Sequence, residues 1–462
     1  MIKKRFIIFF ILLLSILTVI SPWLAILNIY ILTLYYTLKS NEKTLGYFIY
    51  FILFQNIFLI ITANYFDIIT TPIMILSKEL MIYLCVLLGI ATKFRFRNIN
   101  SIDIISILFI ILLGVAFFSS DSELFAKMTS VRQLMLPIIF FLFGYYLNID
   151  TLSLKKVIKL IVGISTVISI IGLFEVCLIR DYLWTMTPIY QFNFNKGTLF
   201  PFYNDVPLNF YTWDYADIVG SAVRRLVSIF ADPLATAGFL FLGFVLANTL
   251  KHRMKNIKSK LIEELILIAG LLTLSKGYFL SLSVFIIMRI FRNIFGKNIS
   301  FIFISLLSGS VLLFSVVSLL ATILPSSSIG IHYNGFVNGI ESAGFLGTGL
   351  GMAGVLTSKL AEMEGVEVRE SYIGVLVNQM GFLGLIVFVM FFCIIIWKLL
   401  KKYKQTNSIL YYNMSSIIIA VLYQACFSES SIGIISTGLY FILAGIFLQR
   451  TNKIEAVYEK DR

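Results

Sequence analysis

The chain has 462 residues, of which 59% are hydrophobic and 13% are charged, whereas soluble domains carry about 45–50% and about 25%. These proportions exclude a soluble globular domain and indicate an all-α, polytopic integral membrane protein. The formal net charge of +13 would suit nucleic-acid binding, but the way it is distributed along the chain argues against that function. The four cysteines lie in apolar runs without CxxC spacing, so neither a disulfide framework nor a metal site is indicated.

Fourteen apolar runs, interrupted by charges and turn residues, follow one another along the chain. A helix needs about 20 apolar residues to cross the hydrocarbon core of a bilayer, so we read these runs as transmembrane helices. Because several are short, we expect about 14 spans (range 11–14) in one membrane domain over residues 1–462. In chain order the runs are residues 6–20, 23–38, 45–61, 73–92, 104–118, 134–147, 157–179, 228–250, 261–274, 278–290, 301–324, 372–397, 409–427 and 432–448.

Positive charge is unevenly distributed between the two sides that these spans define. If the N-terminus is cytoplasmic, 27 of the 37 Lys and Arg residues fall in cytoplasmic loops and tails, which is the positive-inside pattern. The net charge then reflects membrane orientation and anionic inner-leaflet lipid, so no nucleic-acid partner is indicated. Both termini are predicted to be cytoplasmic, and two large loops, residues 180–227 and 325–371, are predicted to be external.

The first external loop is rich in aromatic and acidic residues. It holds two Trp, five Tyr and four Asp, and it includes the adjacent pair Arg224 and Arg225. Aromatic rings stack on the CH-rich faces of sugars while polar groups bind their hydroxyls, so this composition suits a sugar-binding surface. The alternative is an interfacial belt of aromatic residues.

The second external loop is rich in glycine and holds His332. A loop of this length is usually functional or disordered, and its apolar residues argue against disorder. Residues 349–354 fit GxGxxG, but no strand precedes them, so we read these glycines as tight turns rather than as a dinucleotide site. Imidazole titrates near neutral pH and suits a general base; the alternative is a hydrogen-bonded loop histidine.

Four cations flank or interrupt apolar runs near the predicted outer face: Arg132, Arg224, Arg225 and Lys276. Ionisable groups at membrane depth are costly and therefore mark functional sites by default. Together these cations would bind a lipid phosphate or diphosphate, to which an Arg guanidinium offers a bidentate fork. The alternative is that they snorkel to lipid headgroups.

Four segments occur in an order that resembles one family. They read VRQLMLPIIFFLFG from residue 131, RLVSIFADPLATAGFL from residue 225, LLTLSKGYFLSL from residue 271, and GIHYNGFVNGIESAGFLGTGLGMAG from residue 330, with ESYIGVLVNQMGFLGLI following. They resemble the arginine-led helix, the R-x-x-S-x-F-x-x-P motif, the L-T-x-S-R-G turn, and the His loop with its E-S helix in the O-antigen polymerase and O-antigen ligase superfamily. The first hundred residues carry none of these motifs and contribute only apolar runs to the comparison.

The resemblance implies an inverting, metal-independent glycosyltransferase of a bacterial plasma membrane, acting at the outer leaflet on undecaprenyl-diphosphate-linked glycans. Carried over by position, Arg132, Arg225 and Lys276 would bind the diphosphate, and His332 would help to deprotonate the acceptor. The family usually has Arg where this chain has Lys276, and Lys neutralises phosphate without the bidentate fork.

Three further residues in or beside these motifs are predicted to contact substrate: Arg224, Ser228 and Glu370, the last in an orienting role. No cofactor and no metal are expected. The expected partners are the lipid-linked oligosaccharide and membrane lipids, with a flippase and a chain-length regulator as candidate protein partners.

The sequence therefore predicts a polymerase of a lipid-linked surface polysaccharide such as capsule, exopolysaccharide or O-antigen. A ligase that moves the finished glycan to another acceptor is the nearest alternative, because it uses the same donor chemistry. A flippase for the lipid-linked unit is an alternative of another class. A flippase would favour repeated halves and ionisable residues at the bilayer midplane, whereas here these residues cluster near the predicted outer face.

Overall fold

A computed structural model describes residues 41–93, 100–147, 151–196, 201–254, 257–298, 328–354 and 370–449, together with single residues between these ranges. The predicted runs at residues 6–20, 23–38 and 301–324 lie wholly or mostly outside the described residues. Residues 355–369 of the second predicted loop also lie outside them. The other eleven predicted runs fall within the described ranges.

Long apolar helices dominate the described ranges. In chain order, the helices of ten or more residues are α1 (Asn41–Ile61), α2 (Thr70–Lys93), α3 (Ser101–Phe118), α4 (Leu124–Tyr146), α5 (Thr151–Phe174), α6 (Pro233–Met254), α7 (Ile257–Leu272), α8 (Lys276–Phe295), α9 (Ser328–Glu341), α10 (Tyr372–Thr406), α11 (Ile409–Phe427) and α12 (Leu439–Leu448). Nine of these, all but α7, α9 and α12, are long and apolar enough to span a bilayer. An apolar helix suits lipid because it satisfies its backbone polar groups internally. The protein is therefore an all-α, multi-pass membrane protein.

Each of the eleven runs overlaps one of these helices, although some boundaries differ. Helix α6 begins at Pro233 rather than at residue 228, because a short 3-10 turn, Ser228–Phe230, precedes it. Proline is favoured in the first helical turn, where its missing N–H group is not needed. Helix α9 lies inside the second predicted loop, so 14 residues of that loop are helical.

The first predicted loop is a folded segment between α5 and α6. Its two antiparallel hairpins pair β1 (Phe202–Tyr203) with β2 (Val206–Pro207), and β3 (Tyr211–Thr212) with β4 (Val223–Arg224). Asn204 and Asp205 join β1 to β2 with φ angles of 51° and 60°. Asn and Asp tolerate this left-handed conformation, which tight two-residue hairpin turns require.

The chain divides into two compact units. Unit 1 comprises residues 1–93, 147–247 and 254–275, and unit 2 comprises residues 94–146, 248–253 and 276–462. The single membrane domain that the sequence predicts stays a prediction.

In unit 1, the folded segment packs on α1. Trp184, Phe210 and Val206 are buried in one hydrophobic core with Leu59 of α1. In the same unit, the Asn56 side chain of α1 donates a hydrogen bond of 2.9 Å to a backbone oxygen of the Ser228–Phe230 turn. The segment is thus anchored through both apolar and polar contacts.

In unit 2, α4 and α12 approach each other closely at glycines. A Cβ atom at Gly144 would meet the backbone of α12, and one at Gly445 would meet the backbone of α4. Small residues permit such contact between membrane helices, where close packing supplies much of the association energy. Helix α10 joins this core through Phe391, whose ring centroid lies 5.5 Å from that of Phe141.

Candidate functional site

Arg224 is paired with two carboxylates inside unit 1. Its Nη2 atom lies 2.8 Å from Glu175 Oε1 and its Nε atom lies 2.7 Å from Asp181 Oδ1. The side chains of Arg224 and Glu175 are 10% and 0% exposed. Glu175 Oε1 also accepts a hydrogen bond of 2.7 Å from Trp184 Nε1. Because charges tolerate burial when they are paired and hydrogen-bonded, this network forms an internal framework for the segment.

Ser228 belongs to the same framework. Its backbone N–H donates to Glu175 Oε2 at 2.6 Å, and its Oγ donates to the Ile168 carbonyl at 2.9 Å. The residue is buried, with a φ of 50°. The sequence assigns Arg224 and Ser228 to substrate binding, but the structure instead engages their polar groups in contacts within the protein.

Arg225 is held in a different way from its neighbour. Its Nε donates to the Thr273 carbonyl at 2.9 Å and its Nη1 to the Asn209 carbonyl at 3.4 Å. Neither partner is charged, and Arg225 forms no ion pair with the side chains that the structure describes, a set that does not include Asp217. Burial lowers the pKa of Arg225, while the charges of Asp232 and Asp214 act in the opposite direction. The guanidinium is thus largely buried, oriented and not neutralised by a direct ion pair, so an anionic ligand would stabilise it.

Lys276 is the first residue of α8, and its side chain is exposed. The turn predicted around it is present, since α7 ends at Leu272 and Leu274 has a φ of 50°. The N–H groups of a helix start favour anions. An anion near Lys276 would therefore be favoured by both the ammonium group and the helix.

The structure brings together His332 and Glu370, both in unit 2. His332 Nδ1 lies 3.1 Å from Glu370 Oε2, and the side chains are 29% and 40% exposed. The pair is ionic only when the imidazole is protonated, and the ring N–H is not aligned with Oε2 for a good hydrogen bond. When the imidazole is protonated, the Glu370 carboxylate lies within ion-pair distance of its charge. This arrangement suits a base that takes up a proton.

Glycines place α9 against the start of α10. A Cβ atom at Gly335 would lie 2.8 Å from Glu370 N, and one at Gly339 would lie 2.5 Å from Gly374 Cα. Both distances are too short for a real side-chain carbon, so the two backbones meet where side chains are absent. The approach of His332 to Glu370 thus depends on residues that carry no side chain.

The glycine-rich turn after α9 also relies on close backbone contact. Gly349 and Gly351 have φ angles of 95° and 87°, a conformation that glycine adopts far more readily than other residues. The Gly349 N–H donates to the Gln379 carbonyl at 3.1 Å, near the point where α10 is interrupted at Gly381 (φ 70°, ψ −175°). The interpretation of these glycines as tight turns is therefore confirmed.

Arg132 is half-buried on α4, and its neighbour Gln133 contacts a carboxylate that the sequence did not single out. Gln133 Nε2 donates to Glu429 Oε1 at 3.1 Å, and the Glu429 N–H donates to the Glu370 carbonyl at 3.0 Å. Glu429 is only 8% exposed. Within unit 2, these bonds tie the turn that holds Arg132 to the backbone of Glu370.

Sequence reasoning missed three carboxylates: Glu175, Asp181 and Glu429. Glu175 carries a usable signal, because it is an acidic residue inside the predicted span at 157–179 and such residues are rarely unpaired. Asp181 is one of four Asp in an aromatic loop, and Glu429 stands in a short connection, so neither is distinguished by its sequence. Asp181 is also 43 positions from its partner Arg224.

Comparisons of this chain with family models, with curated proteins and with solved structures find no match.

Proposed function

We propose that this protein is a membrane glycosyltransferase of the O-antigen polymerase and O-antigen ligase superfamily. It polymerises undecaprenyl-diphosphate-linked repeat units into a surface polysaccharide at the outer leaflet of a bacterial plasma membrane. The ordered sequence motifs support the family. The contrast between two adjacent arginines supports a donor that carries an anion.

That contrast is the observation that carries the proposal. Arg224 is paired with Glu175 and Asp181, whereas Arg225 is fixed by two backbone carbonyls and has no ion pair among the residues described. Removing a guanidinium from water without an anion partner is unfavourable. A diphosphate would supply that partner through bidentate bonds. We assign Arg225 to the donor diphosphate and Arg224 to the framework behind it.

The reaction forms one bond and breaks one. The acceptor hydroxyl oxygen attacks C1 of the donor sugar, and the bond from C1 to the diphosphate oxygen breaks, with its electron pair leaving on the diphosphate. The hydroxyl proton passes to His332, and Glu370 stabilises the resulting imidazolium. Fixed cations lower the barrier because they stabilise the charge that develops on the leaving group. The assignment of Arg132 and Lys276 to diphosphate binding rests on the sequence resemblance alone and stays a prediction.

Mutation of Arg225 tests this proposal. Arg225→Ala should lower polymer synthesis by about 10²–10³-fold, the loss expected when one fixed donor to a developing anion is removed. Single repeat units should accumulate on lipid while the protein remains in the membrane. Arg225→Lys should retain little activity, because Lys lacks the fork.

The matched control is Arg180→Ala, since Arg180 is an exposed arginine of the same segment. It should leave polymer length and amount unchanged. Normal polymer from Arg225→Ala, at a wild-type protein level, would contradict the assignment of Arg225 and the function that rests on it.

The proposed function also requires a particular topology: about 14 spans, cytoplasmic termini, and external segments at residues 180–227 and 325–371. A reporter fused after Lys258 should read cytoplasmic, and one inserted near Asn204 should read external. An external reading after Lys258 would place the arginines on the wrong face for a lipid-linked donor.

A flippase is the second candidate, and the interruption of α10 at Gly381 is the observation that favours it. Broken helices commonly line the transport sites of membrane carriers. Deleting a flippase would leave repeat units on the inner leaflet, whereas deleting a polymerase or a ligase would leave them exposed at the outer leaflet. A ligase would transfer preassembled chains in a single step, whereas a polymerase would produce a ladder of lengths.

A further inference from the structure

Three aromatic rings in the segment between α5 and α6 form a fixed group, which we call the aromatic ledge: Tyr203, Tyr211 and Trp213. The ring centroids of Tyr203 and Tyr211 are 4.9 Å apart, and those of Tyr203 and Trp213 are 5.7 Å apart, each pair at 74°. Trp213 is 53% exposed, and the two tyrosines are half-buried. The ledge therefore offers an indole surface whose position is set by neighbouring rings.

The Arg224 framework holds the ledge in place. The Tyr211 hydroxyl donates to Asp181 Oδ2, and the Arg224 guanidinium lies 5.6 Å from the Tyr211 ring centroid. Burial raises the pKa of Tyr211, and its hydrogen bond to Asp181 adds to that shift, so the hydroxyl remains protonated and continues to donate. The ion pairs of Arg224 thus also fix the position of Tyr211, against which the Tyr203 ring of the ledge packs.

Asp214 adds a carboxylate beside the ledge, in the segment that also holds Arg225, for which the described side chains provide no ion pair. It follows Trp213 in the chain, its side chain is exposed, and it accepts a hydrogen bond of 2.9 Å from Thr212 Oγ1. The Arg225 backbone N–H donates a hydrogen bond of 2.8 Å to the carbonyl of Phe210, the residue before Tyr211, so Arg225 also borders the ledge. An ionised carboxylate can accept several hydrogen bonds. An aromatic surface, an acceptor and a cation are therefore neighbours.

We propose that the aromatic ledge and Asp214 bind the sugar residue next to the diphosphate of the lipid-linked glycan, while Arg225 binds the diphosphate itself. This inference rests on the proposed function and adds a saccharide subsite to it. The apolar face of a pyranose stacks on the Trp213 ring, and its hydroxyls donate to the Asp214 carboxylate. The sugar nearest the diphosphate fits best, because the Arg225 backbone is hydrogen-bonded to Phe210, directly beside Tyr211 of the ledge.

A membrane anchor is the competing role for exposed aromatic rings at an interface. Anchoring needs rings at headgroup depth but no fixed geometry between them, whereas these rings are locked edge to face. Asp205 and Asp214 are both exposed beside the rings and would repel anionic headgroups. A neutral ligand rich in hydroxyl groups suits this combination better than an anionic lipid surface.

Two probes separate these roles in the full-length protein in lipid nanodiscs: undecaprenyl diphosphate alone, and the producing cell's own undecaprenyl-diphosphate-linked repeat unit. Trp213→Ala should weaken binding of the repeat unit by about tenfold, a loss of aromatic contact of about 1.4 kcal/mol. Binding of undecaprenyl diphosphate should be unchanged. Trp213→Phe should restore most of the loss, and the exposed Tyr182 serves as control, because Tyr182→Ala should affect neither probe.

Asp214→Asn provides a second variant, whose side chain has nearly the same shape. It should weaken binding of the repeat unit and leave binding of undecaprenyl diphosphate unchanged. If Trp213→Ala weakens binding of both probes equally, Trp213 is a lipid anchor instead. If neither variant weakens binding of the repeat unit, the proposed subsite is wrong. Arg225→Ala should weaken both probes. If Arg225→Ala changes binding of neither probe, the assignment of Arg225 to the diphosphate is wrong, and the proposed function loses its support. The Trp213→Ala result still tests the sugar subsite separately.

Discussion

The segment of residues 175–230 in unit 1 and the segment of residues 328–381 in unit 2 position their predicted functional residues by different physical means. In the first, buried ion pairs and ring contacts fix Arg224, whereas Arg225 has no ion pair with the side chains that the structure describes. In the second, glycines allow backbones to touch, and this contact sets His332 beside Glu370. The first depends on charge balance and the second on the absence of side chains. Substitutions should therefore damage the two segments for different reasons.

The largest loss of activity is expected from substitution of His332. This substitution tests whether the second segment has a catalytic role or only a structural one. Loss of a general base costs about 10²–10⁴-fold in rate. His332→Ala should therefore lose most turnover of lipid-linked repeat units while donor binding is retained. His332→Gln should not rescue the rate, because an amide cannot take up the proton.

Glu370→Gln is the companion variant and should have a smaller effect, because Glu370 orients the imidazole and does not receive the substrate proton. Turnover by purified protein, measured at saturating donor, decides between the two roles. A near wild-type rate for His332→Gln would make His332 a structural residue.

Glu175→Ala should show that charge balance holds the first segment. It leaves the nearly buried Arg224 with one carboxylate partner fewer, and breaking a buried pair in this way costs about 3–5 kcal/mol. Thermal unfolding of the purified protein should shift to lower temperature. Adding Arg224→Ala to Glu175→Ala should recover part of the loss, because the uncompensated cation is then gone.

An exposed pair of unit 1 is the matched control for this prediction. Glu264 lies 3.6 Å from Lys260 on α7, and both side chains are at least half exposed. Glu264→Ala should change stability by about 0.5 kcal/mol or less. Equal shifts in unfolding temperature for Glu175→Ala and Glu264→Ala would mean that the buried Glu175 pair stabilises the fold no more than the exposed pair does.

Gly339→Ala tests the backbone contact in the second segment. The added Cβ would lie 2.5 Å from Gly374 Cα, and overpacking of this kind typically costs about 1–3 kcal/mol. Turnover should fall as His332 moves away from Glu370. Gly344→Ala is the control in the same segment, since a Cβ there would meet nothing within 4 Å. If both variants behave alike, close approach is not what positions His332.

The smallest effect is expected for Lys276→Arg. Arginine keeps the charge and adds the bidentate fork for phosphate, so polymer synthesis should remain within about twofold of wild type. Lys276→Ala removes the charge and should lower synthesis clearly. Measuring both variants in a strain that lacks the native protein separates a need for charge from a need for the ammonium group itself.

Hydropathy predicted the positions of the long apolar helices, but not how they pack. Runs of apolar residues located eleven helices of the described ranges, because a lipid environment demands long apolar helices whatever their neighbours. Helix α9 escaped prediction because it is short and holds His332 and several glycines, which lower intrinsic helix propensity. Its packing against α10 compensates for that weakness.

The sequence by itself determined that this protein is an all-α membrane protein, where most of its helices lie, and which cations and which histidine are candidates for chemistry. Only the tertiary structure decided that Arg224 is paired, whereas Arg225 has no ion pair with the side chains it describes. The partners of Arg224 stand 43 and 49 positions away from it in the chain. It also decided that His332 meets Glu370. Hydropathy is a property of local sequence, whereas the pairing of a charge depends on which distant groups the fold brings within a few ångströms.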